Sequence, residues 1–241
     1  MNLIFDIGNT RIKLAVFQEH TTVESGVVSP KNLGQEITRL CDKYTIGSAI
    51  VSSVGDTNLE DLSELNFIKK VLILDHTIEV PFINKYKTPK TLGVDRIALV
   101  SGAISQYPSK DVLIIDAGTC ITYDFVNRKK EYFGGAISPG IKMRYESLNT
   151  FTTNLPQLEM APFSLIGSDT AGSIHSGVLN GILHEIDGLI AEYQYKYPHL
   201  TVLLTGGDTN FLAKKLKSSI FANPNFLLEG LNSILIHNLD E

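Results

Sequence analysis

The chain predicts an α/β protein made by duplication, with two domains that each carry a mixed sheet covered by helices. Three observations predict it. One phrase is written twice: Leu3-Ile4-Phe5-Asp6-Ile7-Gly8-Asn9-Thr10 near the start, and Leu113-Ile114-Ile115-Asp116-Ala117-Gly118-Thr119-Cys120 about halfway along. Each copy runs from an apolar stretch through Asp and Gly into small polar residues and a second apolar stretch, the pattern of a β-hairpin. After each phrase, hairpin strands give way to alternating helical and extended segments, as in a mixed sheet with helix cover. Finally, 241 residues at 43% hydrophobic content allow two modest domains with a core each.

The elements follow in order. Strands are expected near 2–7, 11–17 and 22–28. Leu33, Ile37, Leu40 and Tyr44 recur at helical spacing and form one apolar stripe. A buried strand at 49–54, a short helix at 59–67 and a strand at 71–74 come next. The stretch from Pro81 to Pro89 is irregular and carries Tyr86. A helix then runs from Asp95 through Ser105. Tyr107-Pro108-Ser109-Lys110 marks the boundary, dividing the chain into 1–108 and 109–241.

The second half restarts the order, with strands at 112–116, 120–126 and 131–138 and a helix over Ile141–Asn149. Thr170–Tyr195 reads as one long helix holding Gly172, Gly177 and Gly181. Each glycine costs roughly 1 kcal/mol against Ala in a helix interior. Close helix-to-helix approach is the compensation expected, and it motivates a homodimer built mainly by this half. A strand at 201–204, Gly206-Gly207-Asp208, a short helix and a closing helix over Glu229–Leu239 complete the order.

Composition narrows the partners. A formal net charge of −5 is not that of a nucleic-acid binder, which shows a basic face. Arg128-Lys129-Lys130 and Lys214-Lys215-Lys217 read as solvated turns or helix faces. Cys41 and Cys120 have no disulfide or zinc spacing. His184-Glu185 lacks the second His of a metalloprotease helix and reads as a surface or satisfied pair. The first apolar run is broken by Asp6 and has no basic leader, and no stretch is long enough to span a bilayer. A cytoplasmic location with no membrane partner is expected.

The chemistry concentrates in the repeated turns. Gly8 and Gly118 let the backbone bend without a Cβ clash. Asn9, Thr10 and Thr119 add donors for a phosphate cradle. Asp6 or Asp116 can hold a cation against that phosphate. A single Asp-x-Gly turn is often only a turn, but the repetition favours a nucleotide gripped by two loops. A third phrase, Leu92-Gly93-Val94-Asp95-Arg96, opens a helix at its positive end. There Asp95 can accept a hydroxyl proton and Arg96 can pair with a carboxylate. The structural alternative is that Asp95 only caps the helix.

These phrases occur together in an order that resembles the type III pantothenate kinases, of the acetate and sugar kinase, heat-shock chaperone and actin superfamily. The matching segments are Asp6–Lys13, Tyr86 with Pro89 and Leu92–Arg96, Asp116–Thr122, Gly134–Gly140, and Gly167 with Thr170, Ser176 and Gly177. The resemblance implies two actin-like (ribonuclease H-like) domains and ATP-dependent phosphorylation of pantothenate. It implies an ATP loop of Asp6, Ile7, Gly8, Asn9, Thr10, Arg11, Ile12 and Lys13, with Thr119 as a second ATP contact. Asp95 matches the proton acceptor, and Gly93, Val94, Asp95 and Arg96 match the pantothenate segment, with Tyr86 and Thr170 as further contacts. Asp116 matches the position holding a monovalent cation, potassium or ammonium. Mg2+ accompanies the ATP, and the family is homodimeric with substrate sites near the interface. Thr88 stands where the family commonly has Asn, and Cys120 where it commonly has Ala.

Two segments keep two readings. Gly134–Gly140 is a strand-to-helix bend or a substrate contact, and Thr205-Gly206-Gly207-Asp208 is a capped turn or the superfamily's adenosine loop. Two other functions remain to be weighed. A catalytically silent nucleotide-binding homologue regulating transcription would lose Asp95 or a loop aspartate, and all three are present. A sugar or acetate kinase is disfavoured by the Gly93–Arg96 segment.

Overall fold

The computed structural model of the chain describes residues 1–8, 11–53, 65 and 68–239. In chain order its elements are β1 (Asn2–Ile7), β2 (Ile12–Gln18), β3 (Thr21–Val28), α1 (Leu33–Lys43), β4 (Ser48–Ser53), β5 (Lys70–Ile73), β6 (Ile83–Asn84) and α2 (Val94–Gln106). There follow β7 (Val112–Ala117), β8 (Cys120–Val126), β9 (Glu131–Pro139), α3 (Ile141–Thr150), α4 (Thr170–His175) and α5 (Gly181–Lys196). The chain closes with β10 (Thr201–Thr205), α6 (Thr209–Leu212), β11 (Phe221–Ala222) and α7 (Phe226–His237). The helix expected at 59–67 lies outside the described residues apart from Leu65, which is buried. No helix among the described residues is long and apolar enough to cross a membrane.

The chain divides into two compact units: Met1–Ser109 with Lys129–Tyr132 and Asn225–Glu241, and Lys110–Arg128 with Phe133–Pro224. In the first, the sheet order is β3-β2-β1-β4-β5. β1 pairs antiparallel with β2 and parallel with β4. Leu3 and Phe5 of β1 join Leu14 and Val16 of β2 and Ile37 and Leu40 of α1 in one buried cluster. That places the stripe of α1 on this face of the sheet. α7 packs against β1, β4 and α2. Helices α2 and α7 meet at Gly102 and Gly230, where a Cβ on Gly230 would lie 2.1 Å from the Ala98 carbonyl oxygen. The closing helix therefore belongs to the first unit, whereas a cut at 108 and 109 would leave it with the second half. Within this unit β6 also pairs with Glu131 and Tyr132, the first residues of β9.

In the second unit the strand order β9-β8-β7-β10-β11 repeats that of the first, strand for strand. β7 is antiparallel to β8 and parallel to β10, as β1 is to β2 and β4. Leu113, Ile115, Val202 and Leu204 pack with Ile182, Ile186 and Ile190 of α5. The long helix expected from Thr170 forms as α4, a π-helical turn at Ser176–Asn180 and α5 in unbroken succession. Such turns are inserted residues that recur at functional sites. β6 and β11, two residues each, were too short to leave a period in the sequence.

Candidate active site

The first unit holds the residues of the first loop and of the Gly93 segment. Asp6 lies near the end of β1, directly opposite Lys13 of β2. The Gly8 N–H donates to the Arg11 carbonyl at 3.1 Å and closes the hairpin. Asn9 and Thr10 lie outside the described residues. Burial raises the Asp6 pKa, Lys13 counters it and the charge of Asp95 pushes it up again, with a net rise. The two carboxylates thus lie within range of each other's charge, which favours a cation or a proton beside Asp6.

Gly93 is the N-cap of α2, so Val94, Asp95 and Arg96 form its first turn. The Arg96 N–H donates to Asp95 Oδ1 at 2.8 Å. One carboxylate oxygen therefore satisfies a helix-end amide from within the first turn, Gly93 rather than Asp95 being the N-cap, and this fixes the orientation of the group. Arg96 is 5% exposed, unusual for a cation. Its guanidinium lies 5.5 Å from the centroid of the Tyr86 ring. Tyr86 in turn stacks at 6.1 Å and 23° on the buried Tyr132. Arg96 is thus held by an aromatic stack rather than left to wave in solvent. Thr88 is engaged locally, its hydroxyl accepting from Thr91 Oγ1 at 2.9 Å.

The second unit holds the other loop. Asp116 sits on β7 between Thr122 of β8 and Thr205 of β10 in register. The Gly118 N–H donates to the Cys120 carbonyl at 3.0 Å, the counterpart of the Gly8 turn. Contrary to the expectation from sequence, Gly118 itself is uncrowded, since a Cβ there would meet only ordinary contacts at 3.8 Å. The crowded glycines are two others that pack on this loop. A Cβ at Gly140 would lie 2.3 Å from the Gly118 carbonyl oxygen. Gly206 has φ +95°, and a Cβ there would lie 2.4 Å from both Asp116 Oδ1 and the Ala117 carbonyl oxygen. The segment after β10 is therefore seated on the loop, with the Asp208 N–H donating to the Ala117 carbonyl at 3.0 Å. Asp208 makes no side-chain cap bond, and burial raises its pKa. Both segments left with two readings thus shape the second loop from within one unit.

Thr119 is exposed at the tip of this loop, and Thr170 is the first residue of α4, with Asp169 as N-cap accepting from the Gly172 N–H at 2.6 Å. Thr170 lines a cavity of about 820 Å³ with Arg144, Gly167, Asp169, Ser173 and Gly177. Arg144 was not singled out in the sequence, although it closely follows the Gly134–Gly140 phrase. Of the long helix's glycines, Gly172 approaches Gly167, while a Cβ at Gly177 or Gly181 would meet nothing within 4 Å among the described residues. Their cost is not offset by packing inside the described chain.

Oxygen donors of this kind suit hard cations such as potassium or magnesium rather than soft-metal chemistry. Among the described residues no group of three or more His, Cys, Asp and Glu could hold a metal ion. One or two carboxylates that share the cation with nucleotide phosphates fit the donors present, as is usual for magnesium.

The comparisons with known proteins agree in direction. Residues 2–192 match the family model for type III pantothenate kinase. A Flavobacterium johnsoniae type III pantothenate kinase is 48% identical over 244 residues, covering 100% of this chain and 99% of its own. One from Christiangramia forsetii is 50% identical over 242 residues, covering 99% of each chain. Among solved structures, a Campylobacter jejuni protein assigned to the Baf family of transcriptional activators shares the fold at TM-score 0.60 and 21% identity, covering 99% of this chain and 100% of its own. A glucokinase from an Antarctic psychrotroph does so at TM-score 0.52 and 12% identity, covering 98% of each chain. The two mixed sheets are those of the actin-like kinase fold. With residues 2–192 of its 241 matching the family model and close relatives matched end to end, the chain belongs to the type III pantothenate kinase family.

Proposed function

We propose that this chain transfers the γ-phosphoryl group of ATP to the primary hydroxyl of pantothenate, giving 4′-phosphopantothenate and ADP in the first step of coenzyme A biosynthesis. The observation that carries the reading is the family match over residues 2–192, together with Asp6 and Asp95 lying within range of each other's charge in one unit. Family membership supplies the substrate class. Phosphoryl transfer demands positioning and charge neutralisation more than covalent chemistry from the protein.

Each residue then has a task. Asp6, Ile7, Gly8, Asn9, Thr10, Arg11, Ile12 and Lys13 form the first phosphate loop, with Thr119 contributing from the second. Asp95 accepts the hydroxyl proton as the pantothenate oxygen forms its bond to the γ-phosphorus and the bond to the ADP oxygen breaks. The Arg96 N–H orients that carboxylate. Arg96, stacked on Tyr86, pairs with the pantothenate carboxylate, and Gly93, Val94 and Thr170 complete the substrate contacts. Asp6 would hold magnesium with the ATP, and Asp116 a monovalent cation. Such ions neutralise charge on the phosphates when bound. The halves 1–108 and 109–241 are the duplicated domains, with α7 returning to the first. The working unit is a homodimer that uses the open glycine face of α5.

The test is direct. Purified chain, ATP, magnesium, potassium and pantothenate should yield ADP and a phosphorylated pantothenate in equal amounts. ATP hydrolysis with no phosphorylated acceptor would reject the reading.

A further inference from the structure

We infer that Glu185 is a positioning residue for the second phosphate loop, acting through the Ser138–Gly140 turn. Nothing in the sequence marked it beyond a satisfied pair, because its partners lie 41 to 62 residues away. The inference rests on Asp116–Cys120 being a phosphate loop, as proposed above.

Glu185 stands on α5, just after the π-helical turn. It collects three donors. The Tyr123 hydroxyl donates to Oε1 at 3.0 Å, Ser138 Oγ donates to Oε1 at 2.5 Å, and Arg144 Nη2 donates to Oε2 at 2.5 Å. Arg144 also reaches the Pro139 carbonyl through Nε at 2.9 Å, and its own N–H donates to the Gly140 carbonyl at 3.1 Å. The turn between β9 and α3 is therefore clamped to the long helix by its side chain and its carbonyls. Its last residue meets the loop directly, with the Gly140 N–H donating to the Thr119 carbonyl at 3.0 Å. Gly140 has no side chain because the Gly118 and Thr119 carbonyl oxygens fill the space a Cβ would need.

The electrostatics agree with a built site. Burial alone would raise the Glu185 pKa, but the bonds from Ser138, Arg144 and Tyr123 outweigh it and hold the carboxyl below its ordinary value. A charged acceptor with three donors is stronger and more directional than a neutral one. The same clamp sets Arg144 at the wall of the Thr170 cavity. One carboxylate thus ties together the loop, the turn and the cavity wall of this unit.

Glu185→Gln keeps the shape and removes the charge, while Glu185→Ala removes the clamp. In a Cys41→Ser background, Cys120 is the sole thiol and adjoins Thr119 in the loop. Its alkylation rate by iodoacetamide reports loop order without any kinase turnover. We expect both Glu185 variants to raise the KM for ATP by roughly tenfold, inside the roughly 10²-fold that a misplacement of about 1 Å can cost, with Glu185→Gln the milder. Cys120 should alkylate several-fold faster, and Ser138→Ala should add little to Glu185→Ala because they share one clamp. Variants that only melt earlier, with wild-type ATP KM and Cys120 rate, would overturn the proposal. If the parent chain does not phosphorylate pantothenate, the proposed function fails, and the Cys120 rate alone decides the positioning claim.

Discussion

Asp95 and Asp6 lie near enough in the first unit for the charge of one to raise the pKa of the other, adding to the larger effect of burial. The proposed general base and the proposed first phosphate loop thus share one electrostatic environment. Asp95→Asn keeps the shape and the bond from the Arg96 N–H while removing the proton acceptor. Turnover should fall by about 10²–10⁴, the usual worth of a general base. ATP and pantothenate binding, measured by calorimetry, should stay near the parent values. Near-normal turnover would leave Asp95 as a helix-end group only.

Asp6 should weaken the folded state at neutral pH. Its folded pKa is raised, so its ionised form is disfavoured by folding, and the penalty grows as pH rises through that pKa. Below the ordinary carboxylate pKa both states are protonated and the penalty is gone. Asp6→Asn, without nucleotide or metal, should therefore melt higher than the parent near neutral pH and equally near the acid end. A lower melting temperature for the variant at neutral pH would contradict the assignment.

Asp111 should act in the opposite sense. It is 4% exposed, and although burial would raise its pKa, the bonds from the Arg128 guanidinium and N–H hold it below the ordinary value. A depressed folded pKa gives stability that is present above the unfolded pKa and lost as pH falls through the folded one. Asp111→Asn should lose stability at neutral pH, and the difference from the parent should close in strong acid. An unchanged urea midpoint at neutral pH would show that the pair is energetically silent.

Sequence period made most of this legible. The repeated hairpin phrase located β1, β2, β7 and β8, whose alternation the sheets preserve, and the apolar stripe of α1 predicted its buried face. What stayed hidden depends on partners distant in the chain. Gly140 and Gly206 each carried a turn reading beside a binding one, and nothing in the sequence showed that each is crowded by the loop at 116–119. Gly118 looked essential for a bend and is uncrowded. Glu185 gave no local signal because its donors come from three other segments. The α7 helix read correctly as a helix, but its packing on α2 through Gly102 and Gly230 is a tertiary fact that no period encodes.

Potassium dependence tests Asp116. A carboxylate facing a polyphosphate is unfavourable unless a cation lies between them. Replacing potassium with tetramethylammonium at matched ionic strength should raise the apparent KM for ATP, and Asp116→Ala should abolish that response. Equal rates in both salts would remove the cation from the account.

The homodimer is tested by sedimentation. The exposed glycine face of the long helix meets nothing within 4 Å at Gly177 and Gly181 among the described residues. At micromolar concentration the chain should sediment at about twice its 26.5 kDa, as the commonest closed oligomer would. Replacing Gly177 and Gly181 with Gln should yield monomers of lower activity. A fully active monomer would rule out a shared working unit.

Acceptor selectivity under saturating ATP separates pantothenate phosphorylation from sugar or acetate phosphorylation. ADP release should be followed with pantothenate, glucose, N-acetylmannosamine, acetate and glycerol, each beside Asp95→Asn as control. Release should be rapid with pantothenate alone, in step with phosphorylated pantothenate, and nearly lost in the variant. Faster release with a sugar or acetate, or release with pantothenate that Asp95→Asn leaves intact, would contradict the proposed function.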